Sequence, residues 1–530
     1  MKTVFLRSSY TVVTTFCLLG LTAASGPVNN SQNVELQIGI VQRFGTTPTA
    51  KLQIAPTKGD RLKLKFTDGN QQQTLATQNP IQLQVVPEKL PQPAVQEVVV
   101  LGNFRTFETA EDYAKGWQKL GIEVEIAQPE RWQVWAKREV YSTPLLRRLL
   151  LQSIEASGRK MAYLETKILP QVPKISWVVN GKTYNPNYLE INTDKNLIRV
   201  NNSDKPENAR LYAGQIKLQP NAYGTYTLVN QVPLETYVRG VLPYEIGTTA
   251  PMAALESQAI IARTYALRNL RRFATDNYQL CADTHCQVYN GLNAVTTKTD
   301  QASAATRGMV LTYNNELVDA LYSSTTGGVT ASFSDIWNGD DRPYLRPVVD
   351  AATNIWDLST QTLADENNFQ RFIKLEQGFN ESSWDVFRWR KESSLLDITK
   401  DLQKFLRVKN SPYAKLKRVD KLTVTKRSSG GRILELEVTT DIGSFTLHKD
   451  EVRSALTPPV STLFYLQPIN KGQAEIWGYA FVGGGLGHGV GLSQTGAQNL
   501  AKLGWSSDKI LQFYYPGTQI KLLNEEIKRF

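Results

Sequence analysis

Between residues 94 and 174 the chain alternates strand-like and helix-like runs in an order that few small folds accommodate. An apolar run (EVVVLGNF) precedes a helical pattern (TAEDYAKGWQKLG), and two more strand-like runs (IEVEIAQ and RWQVWAKR) follow it. A second helical pattern (TPLLRRLLLQSIEASG) and a last strand-like run (AYLETKI) complete the segment, with Thr109 and Thr143 as suitable helix N-caps. The order β-α-β-β-α-β predicts a small ferredoxin-like sandwich.

The rest of the chain divides into a short N-terminal part and a long C-terminal part. Residues 30–86 alternate apolar and polar side chains in runs such as RLKLKF and IQLQVV, which is typical of half-buried strands. Residues 87–93 (PEKLPQP) hold three prolines in seven positions and are predicted to be a linker. Strand and helix patterns are mixed from residue 185 to residue 525. A chain of 530 residues should contain two or three domains. We therefore predict a multidomain α+β protein with a β-rich N-terminal segment, a small βαββαβ domain and a larger mixed module.

The N-terminus has the pattern of a secretory leader. Lys2 and Arg7 precede a mostly apolar run that begins at Val12, and the small residues of LTAASG end it. This order is typical of a signal peptide over residues 1–25, and the run is short for a membrane span. An uncleaved anchor is the alternative. Cys17 lies inside the run and would be removed, so we expect an exported protein of the periplasm or cell wall with no stable membrane span after cleavage.

The charge of the chain indicates an anionic partner. The formal net charge is +11 and the pI is near 9.2, but the lysines and arginines are dispersed along the sequence. No arginine-rich run or nucleic-acid-binding signature occurs, so nucleic acid is not expected as a partner. For an exported protein, cell-wall polymer or anionic lipid headgroups fit the charge better.

The stretch LPYEIGTTAPMAALESQAIIARTYAL places a carboxylate, Glu245, between a Pro-Tyr corner and a Gly-Thr-Thr loop, just ahead of a helix rich in small residues. A carboxylate held at such a junction is oriented, and acid–base chemistry needs orientation. The helix can begin at Thr249, and Gln258 and Arg263 flank its apolar stripe, where they could face a cleft; boundary positions in contact with solvent are the alternative for both. Glu235 lies in the first turn of the preceding helix, where it complements the helix dipole, and it is adequately explained as structural.

A single oriented carboxylic acid suits one kind of glycan cleavage. It can protonate a glycosidic oxygen if apolar surroundings raise its pKa toward the working pH. Ordinary glycosidases add a second carboxylate as nucleophile or as base for water. A lytic transglycosylase does not need one, because the 6-hydroxyl of muramic acid attacks its own anomeric carbon. Glu245 is thus the candidate catalytic residue, and a helix-capping or ion-pairing role is the alternative.

Two more motifs supply candidate substrate-binding residues. In LYSSTTGGVTASFSDIW no base pattern accompanies the hydroxyls, so we interpret the motif as a polar turn lining a sugar groove, with an ordinary surface turn as the alternative. In GHGVGLSQTGAQ the glycines let the backbone pass close to a ligand or to another strand, and the histidine and glutamine can reach a common cleft. A structural hydrogen-bonding role is the alternative for the histidine. The candidates are Tyr322, Ser323, Thr325, Gly327, His488 and Gln494.

The block CADTHC allows two interpretations. Cys281, His285 and Cys286 could contribute to a structural zinc site, because thiolate and imidazole are the usual zinc ligands. The chain has only three histidines and none precedes Cys281 locally, so a fourth protein ligand is in doubt. A Cys281–Cys286 disulfide is the equal alternative in an oxidising compartment. Catalysis by Glu245 requires neither, and no cofactor is expected to be required.

The region between residues 350 and 480 carries no recognisable chemistry. It contains a helical pattern (SSLLDITKDLQKFL) and strand patterns (RILELEVTT and SFTLHKD). His448 lies in an alternating strand and is most simply structural. The region could shape the walls of a groove.

Four motif blocks in fixed order carry a family resemblance. They are VPLETYVRGVLPYEI with ALESQAIIARTYAL, then CADTHCQVYNG, then LYSSTTGGVTASFSDIW with YLRPVVD, and finally GGGLGHGVGLSQTGAQNLAKLGWSSDKILQFYYPG. Over residues 185–525 the chain resembles the stage II sporulation protein D family, which includes amidase-enhancer proteins. The family's V-x-P-x-E pattern falls on Val241, Pro243 and Glu245. Some members of the family carry a metal at the position of CADTHC.

The resemblance implies peptidoglycan lytic transglycosylase activity. Such an enzyme cuts between MurNAc and GlcNAc, leaves 1,6-anhydro-MurNAc ends and prefers strands without peptide stems. The runner-up is a non-catalytic wall-binding protein that uses the same groove to recruit or stimulate an N-acetylmuramoyl-L-alanine amidase. The small domain resembles the glycan-binding sporulation-related repeats in its GNF and following Ala-Glu residues, and a plain spacer domain is the alternative.

Overall fold

The computed structural model describes residues 34–529, except residues 48, 69–70, 160, 180, 186–187, 204, 410 and 473–475. The predicted leader, including Cys17, lies outside the described residues. Within the described part of the chain, no helix is long and apolar enough to cross a membrane.

The first half of the described chain consists mostly of strands. In chain order they are β1 (Glu35–Phe44), β2 (Lys51–Pro56), β3 (Leu62–Asp68), β4 (Gln71–Thr77), β5 (Ile81–Phe104), β6 (Val124–Ala127), β7 (Trp132–Ala136), β8 (Tyr163–Val179), β9 (Lys182–Tyr184), β10 (Leu189–Thr193), β11 (Leu197–Asn201), β12 (Arg210–Ala213), β13 (Gln215–Pro220) and β14 (Tyr226–Pro233). Helix α1 (Phe107–Lys119) follows β5, and helix α2 (Pro144–Ala156) follows β7.

The second half mixes helices with short strands, which confirms the α+β class. Its helices are α3 (Leu234–Glu245), α4 (Met252–Arg268), α5 (Thr297–Ala305), α6 (Phe333–Ile336), α7 (Glu366–Lys374), α8 (Leu395–Val408), α9 (Glu451–Ala455), α10 (Gln494–Lys502) and α11 (Ser507–Tyr514). Its strands are β15 (Leu280–Cys281), β16 (Met309–Tyr313), β17 (Glu316–Leu317), β18 (Tyr322–Ser323), β19 (Arg388–Ser394), β20 (Val419–Arg427), β21 (Ile433–Thr440), β22 (Gly443–His448), β23 (Phe464–Ile469), β24 (Gly478–Gly484), β25 (Leu492–Ser493) and β26 (Gln519–Leu522).

The segment from β5 to β8 has the predicted βαββαβ order. Its strands lie in the sequence β8-β5-β7-β6, every pair antiparallel, as in a ferredoxin-like sheet. Helix α2 is capped by Thr143, whose hydroxyl accepts a hydrogen bond from the Leu146 amide. Helix α1 begins earlier than predicted, with Thr106 instead of Thr109 at its N-cap. The reason is Phe107, which is buried at the first helical position and packs against the Trp132 ring at 5.1 Å between centroids.

The β-rich segment at residues 30–86 is not a separate unit, which corrects the predicted boundaries. β1 pairs with β14, β2 with β11 and β3 with β10, so strands from both sides of the small domain share two sheets. One sheet has the order β15-β1-β14-β13-β10-β3-β4. The other runs β12-β11-β2-β5-β7-β6, so the 24-residue strand β5 belongs to this sheet and to the small domain at once. The small domain is therefore an insertion within a β structure.

The predicted linker at residues 87–93 is also wrong, because these residues lie within β5. They face β8 in a long antiparallel ribbon whose register shifts between Lys89 and Ala94. Proline lacks the amide hydrogen that a regular ladder requires, and a register break accommodates that loss. Pro91 and Pro93 fall inside the break, so the ribbon continues past them.

Helix α4 is the centre of the C-terminal module. The predicted apolar stripe of Leu255, Ala259, Ala262 and Ala266 is buried, but so is nearly every other side chain from Ala254 to Leu267. Helices α3, α5, α10 and α11 and strand β16 pack around it. Its many alanines permit this close packing on all sides.

The region at residues 350–480 builds a subdomain with its own apolar core. Its two three-stranded sheets have the orders β19-β24-β23 and β20-β21-β22, and α8 and α9 pack against them. Strand β24 leads directly into the glycine-rich motif, so this region supports one side of the cleft. His448 lies at the end of β22 opposite Glu435, in agreement with a structural role.

A buried ion pair joins α3 to α4. The guanidinium of Arg263 is fully buried and donates to both carboxylate oxygens of Glu235, at 2.8 and 2.7 Å. It also donates to the Met309 carbonyl at 2.9 Å, and Glu235 accepts from the Gly308 amide at 3.1 Å. Arg263 therefore does not face the cleft, and both residues are structural.

Replacing Arg263 should destabilise the module without touching the cleft. Arg263→Met leaves the Glu235 carboxylate without its cation, a loss that typically costs about 3–5 kcal/mol for a buried pair. We expect the melting temperature, followed by circular dichroism, to fall by roughly 5 °C or more. The matched control is Arg239→Met, because the Arg239–Asp300 pair is exposed at 40% on both sides and should contribute less than about 1 kcal/mol. Equal effects of the two variants would contradict this assignment.

Candidate functional site

Glu245 is the last residue of α3. Pro243 lies inside this helix and does not end it, since the helix continues to Glu245 with Ile246 as its C-cap. Gly247 has a positive φ of 85°, a conformation that glycine adopts without strain, so the chain turns away directly after the helix. The turn fixes the carboxylate at the end of a packed element.

Three groups hold the carboxylate of Glu245. The Val288 amide donates to Oε1 at 2.6 Å, and Nε2 of Gln494 donates to Oε2 at 3.3 Å. The hydroxyl of Tyr322 is the third partner. Burial raises the pKa of Glu245 above its ordinary value, while these three hydrogen bonds act in the opposite direction. The carboxyl group therefore keeps its proton to a higher pH than an exposed glutamate, yet its ionised form also has partners.

Glu245 lines a cavity of about 570 Å³ that opens between the small domain and the C-terminal module. We call this cavity the cleft. Apart from Glu245, most of its lining residues come from four places: residues 105–108 of the small domain, the CADTHC loop, the segment 321–324 and the glycine-rich segment 486–488. The volume lies within the range of about 300–1,000 Å³ that is typical of pockets for small ligands.

Gln494 and Tyr322, two of the predicted residues, lie in the cleft beside Glu245. Gln258 lies behind them and is fully buried, with its Oε1 3.4 Å from Nε2 of Gln494. The Tyr322 hydroxyl also donates to Oε1 of Gln287 at 3.1 Å. A phenol has one proton, so Tyr322 can donate to Gln287 or to Glu245 but not to both at once. Tyr322 can thus donate to Glu245 when that carboxyl group is ionised and to Gln287 when it is protonated.

His488 lines the cleft but has no free ring nitrogen. Its Nδ1 accepts from the Val490 amide at 3.0 Å, and the ring also hydrogen-bonds the Tyr322 backbone. Burial, together with the nearby charges of Arg453 and Arg432, lowers the pKa of His488 to about 3, so the ring is neutral. The structural alternative is the better account of His488, because it joins the glycine-rich loop to Tyr322.

The other residues of the LYSSTTGG motif divide between the cleft and its support. Ser323 lines the cleft, and its hydroxyl has no partner among the described residues. Thr325 is buried beneath it, where its hydroxyl accepts from the Gly327 amide at 3.3 Å. A Cβ on Gly327 would lie 2.6 Å from the carbonyl carbon of Gly484, so this glycine permits two backbones to touch. Thr325 and Gly327 therefore shape the motif and do not line the cleft.

Two buried charges that the sequence did not reveal hold these motifs. The carboxylate of Glu381 accepts hydrogen bonds from the Thr326 and Gly328 amides, at 2.6 and 2.7 Å, and from the Ser493 hydroxyl. The guanidinium of Arg432 donates to the carbonyl of Thr326 at 2.7 Å and sits against Gly489. Both charges come from the region at 350–480, and no local pattern indicates which distant backbone they bind.

The small domain contributes a further carboxylate, Glu108, which the sequence also did not reveal. Among the described residues, Glu108 is the one other acid that lines the cleft. It forms an ion pair with Arg272, whose guanidinium lies 4.7 Å from the Phe107 ring and 5.4 Å from the Tyr265 ring. Glu108 lies in the first turn of α1, where a carboxylate complements the helix dipole, so its place in the cleft follows only from domain docking.

The CADTHC loop closes on itself. Cys281 and Cys286 are joined by a disulfide with their Cα atoms 5.6 Å apart, and the backbone of His285 binds Asp283 and Arg272. Disulfide sulfurs are not thiolate ligands, and no group of three or more potential metal ligands occurs within the described residues, so this donor set does not fit zinc. Val288, whose amide binds Glu245, follows two residues after this loop.

Comparisons with known proteins agree with the motif blocks. Residues 222–313 match the family model described as stage II sporulation protein, and residues 331–491 match a domain of unknown function. The amidase enhancer of Bacillus subtilis is 28% identical over 389 residues, which cover 65% of this chain and 50% of that protein. The stage II sporulation protein D of the same species is 27% identical over 327 residues, 58% of this chain and 81% of that protein.

The predicted family relationship is thereby confirmed: the chain is a relative of the stage II sporulation protein D and amidase-enhancer proteins. The stage II sporulation protein D of Bacillus amyloliquefaciens is a further relative, at 25% identity over 57% of this chain. The chain spans half the length of the amidase enhancer that it matches.

The pairing in CADTHC can be tested directly on the purified chain. We expect mass spectrometry of the non-reduced protein to find Cys281 linked to Cys286, and we expect a chelator to change neither melting temperature nor activity. The physical reason is that both sulfurs are consumed by the disulfide. Stoichiometric zinc in protein purified without added metal, with both thiols free, would contradict this prediction.

Proposed function

We propose that this chain is an exported peptidoglycan lytic transglycosylase that acts in the periplasm or cell wall, with Glu245 as its single acid–base residue. The observation that carries the proposal is the Glu245 carboxyl group, which has a raised pKa and lies on the wall of a cleft large enough for sugar rings. The family relationship is consistent with a role at the cell wall.

The surroundings of Glu245 suit a group that gives a proton and then takes one back. Burial favours the protonated acid, which can donate to the glycosidic oxygen as the bond breaks. The ionised carboxylate that results is stabilised by the Val288 amide and the Gln494 side chain. It can then accept the proton of the 6-hydroxyl as that oxygen attacks the anomeric carbon. The surroundings of Glu245 thus accommodate both the protonated and the ionised form of its carboxyl group.

A conventional hydrolase would need a second carboxylate to activate water or attack the sugar. Glu108 is the only such residue that the described part of the cleft offers, and its carboxylate is engaged by the buried guanidinium of Arg272. Asp335, the acid of the LYSSTTGGVTASFSDIW motif, does not line the cleft; it is buried and accepts a hydrogen bond from the Ser428 hydroxyl at 2.8 Å. The arrangement favours attack by the substrate's own hydroxyl.

One observation favours a second candidate function. The relative at 28% identity is named an amidase enhancer, and a protein of that kind need not cut glycan itself. In this alternative the same cleft would bind the strand, and the chain would recruit or stimulate a cell-wall amidase. The chemistry of the products separates the two functions.

Glu245→Gln should abolish cleavage while preserving the fold and strand binding. Glutamine keeps the shape but cannot deliver a proton, and loss of acid catalysis typically lowers the rate about 10²–10⁴-fold. The rate is measured as release of soluble glycan from purified strands. Glu256→Gln is the matched control, because Glu256 lies on α4 and does not line the cleft. Unchanged turnover in Glu245→Gln would remove the assignment.

The pH dependence of kcat/KM for the wild-type chain should report the ionisation of Glu245. The acid donates only when protonated, so kcat/KM should fall as the pH rises through the pKa of Glu245. Because burial raises that pKa, this decline should begin above the pH at which an exposed glutamate ionises. His488 should add no step near neutral pH, since its pKa is lowered to about 3. A decline that follows ordinary glutamate would count against the raised pKa.

The ends of the products should be 1,6-anhydro-MurNAc and should resist borohydride reduction. The 6-hydroxyl is held on the same ring as the anomeric carbon, and such proximity is worth many powers of ten in effective concentration. Mass spectrometry after incubation with strands free of peptide distinguishes these ends from reducing ends. Reducing ends that disappear in Glu108→Gln would instead identify a hydrolase with Glu108 as second carboxylate. Absence of glycan products, with faster peptide release by an added amidase, would favour the enhancer.

A further inference from the structure

Two further cavities continue from the cleft, and all three meet at Arg105. One has a volume of about 430 Å³ and the other about 640 Å³, and both lie between the small domain and the region at 350–480. We call these two cavities together the cationic groove. Arg105 lines the cleft and both parts of the groove, and Arg453 lines the cleft and the larger part. A chain molecule leaving the cleft would therefore pass these arginines.

Cations outnumber carboxylates in the groove. The six cations that line it are Arg105, Arg131, Lys404, Lys409, Lys449 and Arg453. The three carboxylates that line it are Asp401, Asp450 and Glu451. Asp401 is occupied by the backbone and hydroxyl of Thr457, and Glu451 binds Lys409. The positive charges of the three arginines are thus only partly balanced by these carboxylates.

A single carboxylate, that of Asp450, serves two of the three arginines. Arg453 donates to its Oδ1 at 2.8 Å, whereas Nε of Arg105 lies 3.8 Å from its Oδ2. Arg105 also donates to the Ser454 hydroxyl at 3.1 Å, and its side chain remains 41% exposed. Arg131 has no carboxylate within 4.0 Å in the described part of the chain, and the charge that acts on it from farther away is that of Glu451, which already binds Lys409. The guanidinium groups of Arg105 and Arg131 therefore line the groove, and neither has a close carboxylate of its own.

We propose that Arg105 and Arg131, assisted by Arg453, bind a carboxylate group of the glycan strand where it leaves the cleft. This inference rests on the proposed function and identifies a substrate-binding subsite for it. The sugar hydroxyl and acetamido groups of such a strand are neutral. Its anionic groups are carboxylates, either the lactyl carboxylate of muramic acid on bare strands or those of attached peptides. Guanidinium groups match carboxylates in charge and in planar geometry.

The subsite exists only because two parts of the chain are joined. Arg105 and Arg131 belong to the small domain, and Arg453 lies on α9 of the region at 350–480. Ion pairs of Glu108 with Arg272 and of Glu111 with Arg271 fix the small domain on the C-terminal module. The subsite gives the inserted domain a role in substrate recognition that differs from a plain spacer.

The test measures strand binding in the Glu245→Gln chain, so that no cleavage interferes. The probes are bare glycan strands, peptide-bearing strands and chitin oligosaccharides, which share the sugar backbone but lack the lactyl group. Arg105→Gln and Arg131→Gln should each weaken binding of bare strands about tenfold or more, as expected when a charge-assisted hydrogen bond is lost. Chitin binding should be unchanged. Lys119→Gln, on an exposed position of the same domain, is the matched control.

The pattern of binding losses among the three probes shows which carboxylate the arginines bind, or that they bind none. Weaker binding of peptide-bearing strands alone would identify the peptide as the source of the carboxylate, and weaker binding of bare strands would identify the lactyl group. An equal loss for chitin would show a packing role and overturn the subsite, as would no loss for any probe. If the wild-type chain still cleaves strands in either of those cases, the subsite fails while the proposed function stands. No binding of any strand and no cleavage would overturn both.

Discussion

The carboxylate of Glu381 is the interaction on which the cleft depends. Fully buried, it accepts hydrogen bonds from the Thr326 and Gly328 amides and from the Ser493 hydroxyl, so it joins the two motifs that flank Glu245. Such a charge is tolerated inside a protein only when hydrogen bonds replace its water. Burial and the neighbouring Glu381 raise the pKa of Asp350 well above its usual range, which favours the protonated form of this second carboxyl group. Two acids can therefore share one interior site.

The buried network explains why Tyr322 and Gln494 stand where Glu245 needs them. Strands β18 and β25 pair in parallel, with Tyr322 opposite Leu492 and Ser323 opposite Ser493. Gln494 follows Ser493 directly, at the first position of α10. Holding Ser493 thus sets the position of Gln494, and pairing with Leu492 sets that of Tyr322. Glu245 is thus oriented by Tyr322 and Gln494, whose own positions are fixed by the pairing of β18 with β25.

Local patterns predicted some of this structure, but non-local contacts decided the rest. The small domain and the position of Glu245 followed from the order of elements and from a punctuated junction, both of which are local. The pairing of β1 with β14 joins residues almost two hundred positions apart, and alternation of side chains cannot identify such a partner. Arg263 was predicted to face a cleft because helical spacing shows which side chains share a face of the helix. It does not show what that face packs against. The partner of Arg263, Glu235, lies on a different helix, where a dipole argument already accounted for it.

The prolines at residues 87–93 failed as a linker signal for a related reason. Proline excludes a regular ladder hydrogen bond, but it does not exclude a strand whose register breaks at that point. The continuous ribbon that results connects the small domain to the β structure through two strands, β5 and β8, and not through a flexible tether. Together with the buried guanidinium of Arg272, held between the Phe107 and Tyr265 rings, this connection fixes the small domain over the cleft. A domain attached in this way can supply a wall to the site, and Glu108 and Arg105 are the charged side chains that it contributes.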